Sequence, residues 1–327
     1  MNILWSPYSL SANSSRNRLH SNTEWSGALL KVVFEDGWVG YSDLHPLLEF
    51  GDPPLAVHLK SMAEGSPTSL ATMALEWAKA EAETKRTSRS LYKNVSQISN
   101  HYLVTDLHNF SLQNVISEGY QTIKIKMGRD IEAETGALHD LCQKIASPLK
   151  LRLDFNEYFS DENFSRWMAK VQPWLSDHLD FIEDPCFFDS DSWSSLAETY
   201  GLRLALDMGA DPFEIEDVSG VSVLVLKPAR QNWVKIVERF AQSDLQFVVT
   251  HSMDHPVGQL AALSAACDLA DIYPERLLDC GLQNLYFYSA SNYSQMVTKH
   301  GRFIEPPMGS GWGLDSTLTH EPWRPIS

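Results

Sequence analysis

The residues best placed to do chemistry are lysines and carboxylates that sit near the ends of short apolar runs. Lys124 and Lys126 close Tyr120-Gln-Thr-Ile-Lys-Ile-Lys126, where the alternation reads as a strand. A period of two puts both lysines on one face. Facing solvent, the pair is ordinary. Facing the inside of a parallel barrel, two ammonium groups share a confined polar site, and each makes the other easier to deprotonate. A lysine poised in that way can take a proton from a carbon acid. Leu151-Arg-Leu-Asp154 and Leu204-Ala-Leu-Asp207 end in aspartates, Phe181-Ile-Glu183 in a glutamate, and Val223-Leu-Val-Leu-Lys227 in a lysine. In a barrel the C-terminal strand ends form the active-site face. Three anions converging there repel one another unless a cation joins them. A hard divalent ion with oxygen ligands, Mg²⁺ first, is the natural partner. Lys124 and Lys126 come one strand before the carboxylates and Lys227 one strand after. A substrate carboxylate on the metal then has its α-carbon between lysines, an arrangement suited to α-proton abstraction and to stabilising the resulting enediolate.

Each residue has a plainer reading when taken singly. An Asp at a strand end usually caps a helix or shapes a turn. Lys124 and Lys126 alone could be the polar face of an edge strand. The ordered series on consecutive strands carries the functional reading.

The elements that must position this series follow from the pattern after His101. Strands read at Tyr102–Thr105, Thr122–Met127, Leu149–Phe155, Phe181–Glu183, Leu202–Asp207, Val221–Lys227 and Gln246–His251. Helical stretches such as Ile131–Ile145 and Trp233–Ser243 lie between them. Such βα units in series point to a (β/α) barrel. An open doubly wound sheet is the fallback, but no G-x-G-x-x-G follows the first strand. Residues 1–98 read as a small α+β unit. It holds strands at Asn2–Trp5, Ala28–Phe34 and Trp38–Tyr41, and a hairpin turn at Glu35-Asp-Gly37. Ser9–Glu24 reads as a polar loop, either a lid or a plain surface loop. Phe50-Gly-Asp-Pro-Pro54 is a turn, and Ser66-Pro67 opens a helix with Ser as cap, continuing through Ala71–Ala82. Residues 99–290 hold the barrel. Residues 291–327 form a C-terminal segment, rich in Pro, Gly and Trp, that packs back on the first unit.

The bulk numbers narrow the setting. With 327 residues, 43% hydrophobic and 21% charged, the chain can build one large domain and a smaller one. A net charge of −16 argues against nucleic acid and against anionic membrane surfaces. Cys142, Cys186, Cys267 and Cys280 are scattered without a C-x-x-C pair, so a zinc site or disulfide framework is not expected. Met1-Asn-Ile-Leu-Trp-Ser-Pro7 lacks the basic start and apolar core of a signal peptide, and no apolar run is long enough for a bilayer. The expectation is a cytoplasmic protein, monomer or homo-oligomer, that acts on a small-molecule carboxylate.

At these residues the chain resembles the enolase superfamily, and within it the o-succinylbenzoate synthases of the muconate-lactonizing-like subgroup. Gly37-Trp-Val-Gly-Tyr-Ser-Asp-Leu-His-Pro46 looks like the G-x-G-E-x-x-P segment of that superfamily's capping domain, and Ala74–Glu83 like its central helix. Ile123-Lys-Ile-Lys126 resembles the K-x-K motif. Asp154-Phe-Asn156, Glu183-Asp-Pro-Cys186, Leu206-Asp207 and Leu226-Lys227-Pro228 resemble the ligand and second-lysine motifs. Thr250-His-Ser-Met-Asp-His-Pro-Val-Gly258 and Cys280-Gly-Leu-Gln283 resemble the last two strand ends. The resemblance covers most of the chain. It implies a modified TIM barrel, (β/α)7β, with an N-terminal α+β capping domain. It also implies syn dehydration of 2-succinyl-6-hydroxy-2,4-cyclohexadiene-1-carboxylate to 2-succinylbenzoate, in menaquinone biosynthesis. By carry-over, Asp154, Glu183 and Asp207 bind Mg²⁺, with Mn²⁺ as a substitute. Lys126 is general base and then acid, Lys227 stabilises the enediolate, and Lys124 tunes Lys126. Ser252, Gly281 and Asn156 are the expected substrate contacts. Several positions depart from the family pattern. Met208 follows Asp207 where Glu or Gln is common, Ser42-Asp43 replaces a Gly/Glu pair, and Asp254 stands for a Glu.

Racemases share the same series, so an N-acylamino acid racemase or dipeptide epimerase is the alternative reaction. A catalytically silent barrel kept as a scaffold is a third reading, and it requires a broken site. His251, Asp254 and His255 could suggest a second metal site. At a strand end they fit better as pocket lining or as a cap on the next helix. Trp167, Trp174 and Trp193 fall in helical stretches and read as packing.

Overall fold

The computed structural model describes residues 1–11, 24–92, 95, 97–145, 148–207, 215–282, 293 and 297–326. The chain opens on an antiparallel meander, β1 (Asn2–Ser11), β2 (Glu24–Val33) and β3 (Val39–Leu44). The turn between β2 and β3 falls at Glu35–Gly37, where the Gly37 N–H donates to Phe34 O at 2.9 Å and φ is +85°, a conformation that favours glycine. The first two strands run further than the sequence suggests. Leu10 pairs with Trp25 and Ser11 with Glu24, inside the stretch expected to be a loop. Leu10 and Trp25 pack with Leu47, and that burial extends the ladder. Residues 12–23 of the expected loop lie outside the described residues, as do Met208, Gln283, the expected boundary at 290–291 and Ser327.

Two helices cover one face of this sheet, α1 (Leu55–Ala63) and α2 (Ser69–Arg86). The second does not start at Ser66-Pro67. Proline disfavours helical backbone at the residue before it. Ser66 instead donates its N–H to Ser61 O at the end of α1, and Thr68 caps α2 by accepting from Ala71 N. Leu70, Ala71 and Ala74, at helical spacing, bury against Leu30 and Leu44.

After β4 (Ile98–Ser99), seven parallel strands follow in sequence order: β5 (Tyr102–Val104), β6 (Thr122–Lys126), β7 (Lys150–Asp154), β8 (Leu179–Glu183), β9 (Leu204–Leu206), β10 (Val221–Leu226) and β11 (Gln246–Val249). Each matches a strand read from the sequence to within a few residues. Residues 277–281 supply the last staves of the barrel. On one side, Leu278 N donates to Phe247 O and Gly281 N to Val249 O. On the other, Cys280 N donates to Ser99 O and His101 N to Cys280 O. The sheet therefore closes into the (β/α)7β arrangement.

Helices α3 (Leu112–Ser117), α4 (Ile131–Cys142), α5 (Asp161–Leu175), α6 (Ser190–Tyr200), α7 (Trp233–Arg239) and α8 (Pro256–Ile272) form the outer layer. In α5, Ser160 caps the start, and Phe164, Trp167, Met168, Val171 and Leu175 form a buried stripe. Burying each such side chain stabilises the fold by about 2 kcal/mol. Trp193 is fully buried in α6, and Trp174 packs against the core. All four cysteines are buried and free. The chain ends with β12 (Thr298–His300) and β13 (Phe303–Glu305), which form a small sheet with β4, and then α9 (Asp315–Leu318) and β14 (Arg324–Pro325). β14 pairs with β1, and Trp312 Nε1 donates to Tyr41 O on β3. No described helix is long and apolar enough to cross a membrane.

Candidate active site

The sheet register brings the predicted residues together. Lys126 pairs with Asp154, Asp154 with Glu183, and Glu183 with Ala205, two residues before Asp207. Their side chains point into the barrel mouth. Lys126 Nζ lies 2.6 Å from Asp154 Oδ2, and Lys227 Nζ lies 2.6 Å from Asp207 Oδ1. One ammonium thus stands at each end of a row of carboxylates. Lys124, two residues earlier on β6 and so on the same face, donates to both Glu183 oxygens at 2.6 and 2.7 Å and lies 2.8 Å from Asp154 Oδ2. Asp154 and Glu183 are buried. The Lys126 and Lys227 side chains stay 18% and 23% exposed, which leaves them open to a substrate.

The electrostatics revise one expectation. Lys124 is not made easier to deprotonate by its neighbour. Burial pushes its pKa down, but Asp154, Glu183 and Asp207 together push it further up, and the net shift is upward. It is a fixed cation. Burial opposes charge on Asp154 too, yet Lys124 and Lys126 hold its carboxyl well below the usual range. Glu183 moves the other way: burial and then Asp154 push it up, against the pull of Lys124. The bidentate contact with Lys124 favours the ionised pair. Burial is the largest part of the upward push on Glu183, and repulsion from Asp154 and Asp207 adds to it, so the crowded carboxylates are also short of positive charge.

A divalent cation fits that deficit. Asp154 Oδ1 is buried with no hydrogen-bond partner among the described residues. Glu183, Asp184 and Asp207 each bring a carboxylate oxygen within 4.8 Å of the others. The donors are all hard oxygens, the set Mg²⁺ prefers. The group drawn together here includes Asp184, which the sequence reading treated only as the neighbour of a ligand, and does not include Asp154, whose Oδ2 is held by the lysines.

The other predicted residues are less uniform. Asn156 Oδ1 accepts from Lys126 Nζ at 3.3 Å, so it orients the lysine. Ser252 is buried, and its Oγ has no hydrogen-bond partner among the described residues. Gly281 belongs to the closing strand. A Cβ there would lie 3.0 Å from His101 Cε1 and Thr250 Oγ1, so close packing against these side chains is reason enough for a small residue. His255 caps α8, its Nδ1 accepting from Val257 N, and His251 Nδ1 accepts from Met253 N. Among the described residues, no group that could hold a metal includes His251, Asp254 or His255. Four non-glycine residues adopt positive φ just beyond strand ends on this face: Asn156, Glu157, Asp184 and Met253. Such strained backbone gathers where a site is built.

Sequence reasoning missed two supports. Arg152 lies two residues before Asp154 on the same strand face and is buried beneath the site. It contacts Asp180 Oδ2 at 2.8 Å, Asp279 O at 2.5 Å and His101 Nδ1 at 3.1 Å. A charged residue at that inward register was a usable signal. The second support comes from the N-terminal unit. Trp77 Nε1 donates to Pro228 O at 2.8 Å, and Arg230 forks onto Asp52 at 2.8 and 2.6 Å and reaches His45 O at 3.2 Å. These bonds hold the turn that carries Lys227.

Comparison with known proteins agrees with this architecture. Residues 3–84 match the family model for the o-succinylbenzoate synthase N-terminal domain, and residues 110–318 match the enolase C-terminal domain-like model. An o-succinylbenzoate synthase of Bdellovibrio bacteriovorus is 30% identical over 98% of this chain and 97% of its own length. A dipeptide epimerase of Enterococcus faecalis, solved with Mg and a dipeptide, superposes with a TM-score of 0.80 at 15% identity, covering 95% of this chain and 98% of its own. An N-succinyl Arg/Lys racemase of Bacillus cereus gives a TM-score of 0.77 at 14% identity, with 98% of each chain covered. At those identities the two structures speak for the fold.

Proposed function

We propose, for a chain that belongs to the o-succinylbenzoate synthase family of the enolase superfamily, that it is a lyase dehydrating 2-succinyl-6-hydroxy-2,4-cyclohexadiene-1-carboxylate to 2-succinylbenzoate in menaquinone biosynthesis. The observation that carries the reading is the row Asp154, Glu183, Asp207 with Lys126 at one end and Lys227 at the other. Asp154, Glu183 and Asp207 would hold Mg²⁺, which supplies Lewis-acid charge for the substrate carboxylate. Lys126, steadied by Asn156, takes the α-proton and returns it to the departing hydroxyl on the same face. Lys227 places a cation beside the developing enediolate. Lys124 stays protonated and holds Glu183 and Asp154 in place. The product ring is aromatic, so the reaction has a large intrinsic driving force and asks little more of the site. The match of residues 3–84 to the N-terminal domain of o-succinylbenzoate synthases supports the family's substrate class.

The test is an ultraviolet assay of ring aromatisation with Mg²⁺, with chelator, and with Lys126→Ala. Turnover abolished by both treatments supports the dehydratase. Undiminished turnover in the folded variant removes Lys126 from the base role. The matched 2.6 Å contacts at the two ends favour one second reading, a racemase or epimerase with Lys126 and Lys227 as opposed bases. Exchange of the α-hydrogen of an N-acylated amino acid in deuterated water supports that reading. No exchange from either enantiomer eliminates it for the substrates tried.

A further inference from the structure

Asp184 is buried, and it ties together the three strand ends that carry the carboxylates. Its N–H donates to Ala205 O on β9 at 3.0 Å, and its carbonyl accepts from Glu157 N, in the turn after β7, at 2.7 Å. It follows directly on Glu183, the last residue of β8. Its side-chain Oδ1 accepts from Asp207 N at 3.0 Å. The residue holds φ at +42°, a strained value for a side chain that is not glycine, although Asp and Asn bear it better than most. Strain is tolerated where the surroundings fix it, and these three bonds run to Asp207 itself and to chain close to the candidate ligands. β9 is only three residues long, Leu204–Leu206, so Asp207 lies beyond the ladder. Its amide is held by Asp184 Oδ1.

We propose that Asp184 is a positioning residue: its carboxylate oxygen, by accepting the Asp207 N–H, sets the direction in which Asp207 enters the metal seat. This rests on the reading of Asp207 as a metal ligand. What the seat needs from Asp184 is an acceptor at that point, on a backbone that reaches positive φ. Its charge is secondary. A side chain that keeps the acceptor without the charge therefore serves, and a residue that keeps only the backbone freedom does not.

Asp184→Asn and Asp184→Gly separate these requirements, since asparagine keeps an acceptor oxygen and glycine relieves the strained φ while removing it. Two readouts apply to metal-free and Mg²⁺-titrated protein: hydrogen exchange at the Asp207 amide by NMR, and Mg²⁺ affinity by calorimetry. The expected result is that Asp184→Asn keeps both within about threefold. Asp184→Gly stays folded, loses protection at Asp207 and binds Mg²⁺ about ten- to a hundredfold more weakly, the range for groups that orient metal ligands. A glycine variant with wild-type affinity and a protected amide overturns the proposal. So does an asparagine variant as impaired as glycine, which would make the charge itself a ligand. If wild-type protein binds no Mg²⁺, the metal seat falls and the proposed role falls with it. The exchange arm then reports separately whether Asp184 holds the Asp207 amide.

Discussion

On the Lys126 flank the contacts come from adjacent strands of the barrel. Asp154 is its partner on β7, Asn156 is two residues on, and Arg152 braces the same strand from beneath. On the Lys227 flank the supports reach in from the N-terminal unit. Trp77 holds Pro228 across 151 positions of sequence, and Asp52 holds Arg230 across 178. Within the turn itself, Lys227 N donates to Gln231 Oε1 at 2.9 Å. One end of the carboxylate row is therefore set by sheet register. The other is also set by how the N-terminal unit docks on the barrel. A base that must meet a C–H bond gains from a position fixed by sheet register, because small misplacements cost rate steeply. A cation that stabilises a delocalised anion tolerates more play.

The largest effect should come from removing each lysine in turn. Lys126→Ala is expected to lose about 10³-fold in kcat, the scale of general acid–base catalysis, with circular dichroism unchanged. Lys227→Ala should lose about 10²-fold, the scale of one electrostatic stabiliser. Equal losses would erase the functional difference between the flanks and favour two opposed bases. Next, Asp52→Ala leaves Arg230 partly buried without its carboxylate. Some solvent reaches both groups, so the expected loss in a thermal melt is about 2 kcal/mol. Amide exchange should then rise in the 227–231 turn and stay low in β6. A rise in both places would mean the flanks share one support.

A smaller effect is set by pH. Burial, with His45 next, pushes His255 down from 6.5 to about 3, while Asp254 pulls the other way. The folded ring stays neutral where the unfolded one takes a proton, so acid favours unfolding. Stability is whole above the unfolded value and falls as pH drops from 6.5 towards 3, by about 2 kcal/mol near pH 5 from this ring alone. His255→Asn keeps an acceptor for the α8 cap and should flatten that part of the melting profile. An unchanged acid limb would place the sensitivity elsewhere, with buried His101 the next candidate.

Much of the barrel was legible because its signals are local. A lysine pair at period two and carboxylates ending apolar runs need only strand geometry to converge. The Lys126 flank was therefore readable from the sequence. The Lys227 flank was readable only as far as the lysine. Nothing near Asp52 or Trp77 signals a partner more than 150 positions away. Ser66-Pro67 misled because serine and proline mark a helix start in many contexts, while here Thr68 supplied the better-placed hydroxyl. Asp184 was visible in the sequence only as the neighbour of Glu183 in its motif, because its bond to the Asp207 amide depends on how β8 and β9 lie side by side. The rule that two ammonium groups depress one another failed for Lys124, because burial is what pushes its pKa down and the nearby carboxylates outweigh that.

Isothermal titration of Mg²⁺ into the wild type and into Asp154→Asn tests the carboxylate row most directly. A seat built on Asp154, Glu183 and Asp207 predicts saturable binding by the wild type and at least about tenfold weaker binding by the variant, with the fold intact. Undiminished affinity in Asp154→Asn would contradict it and move the metal to Glu183, Asp184 and Asp207, away from the Lys126 end of the row.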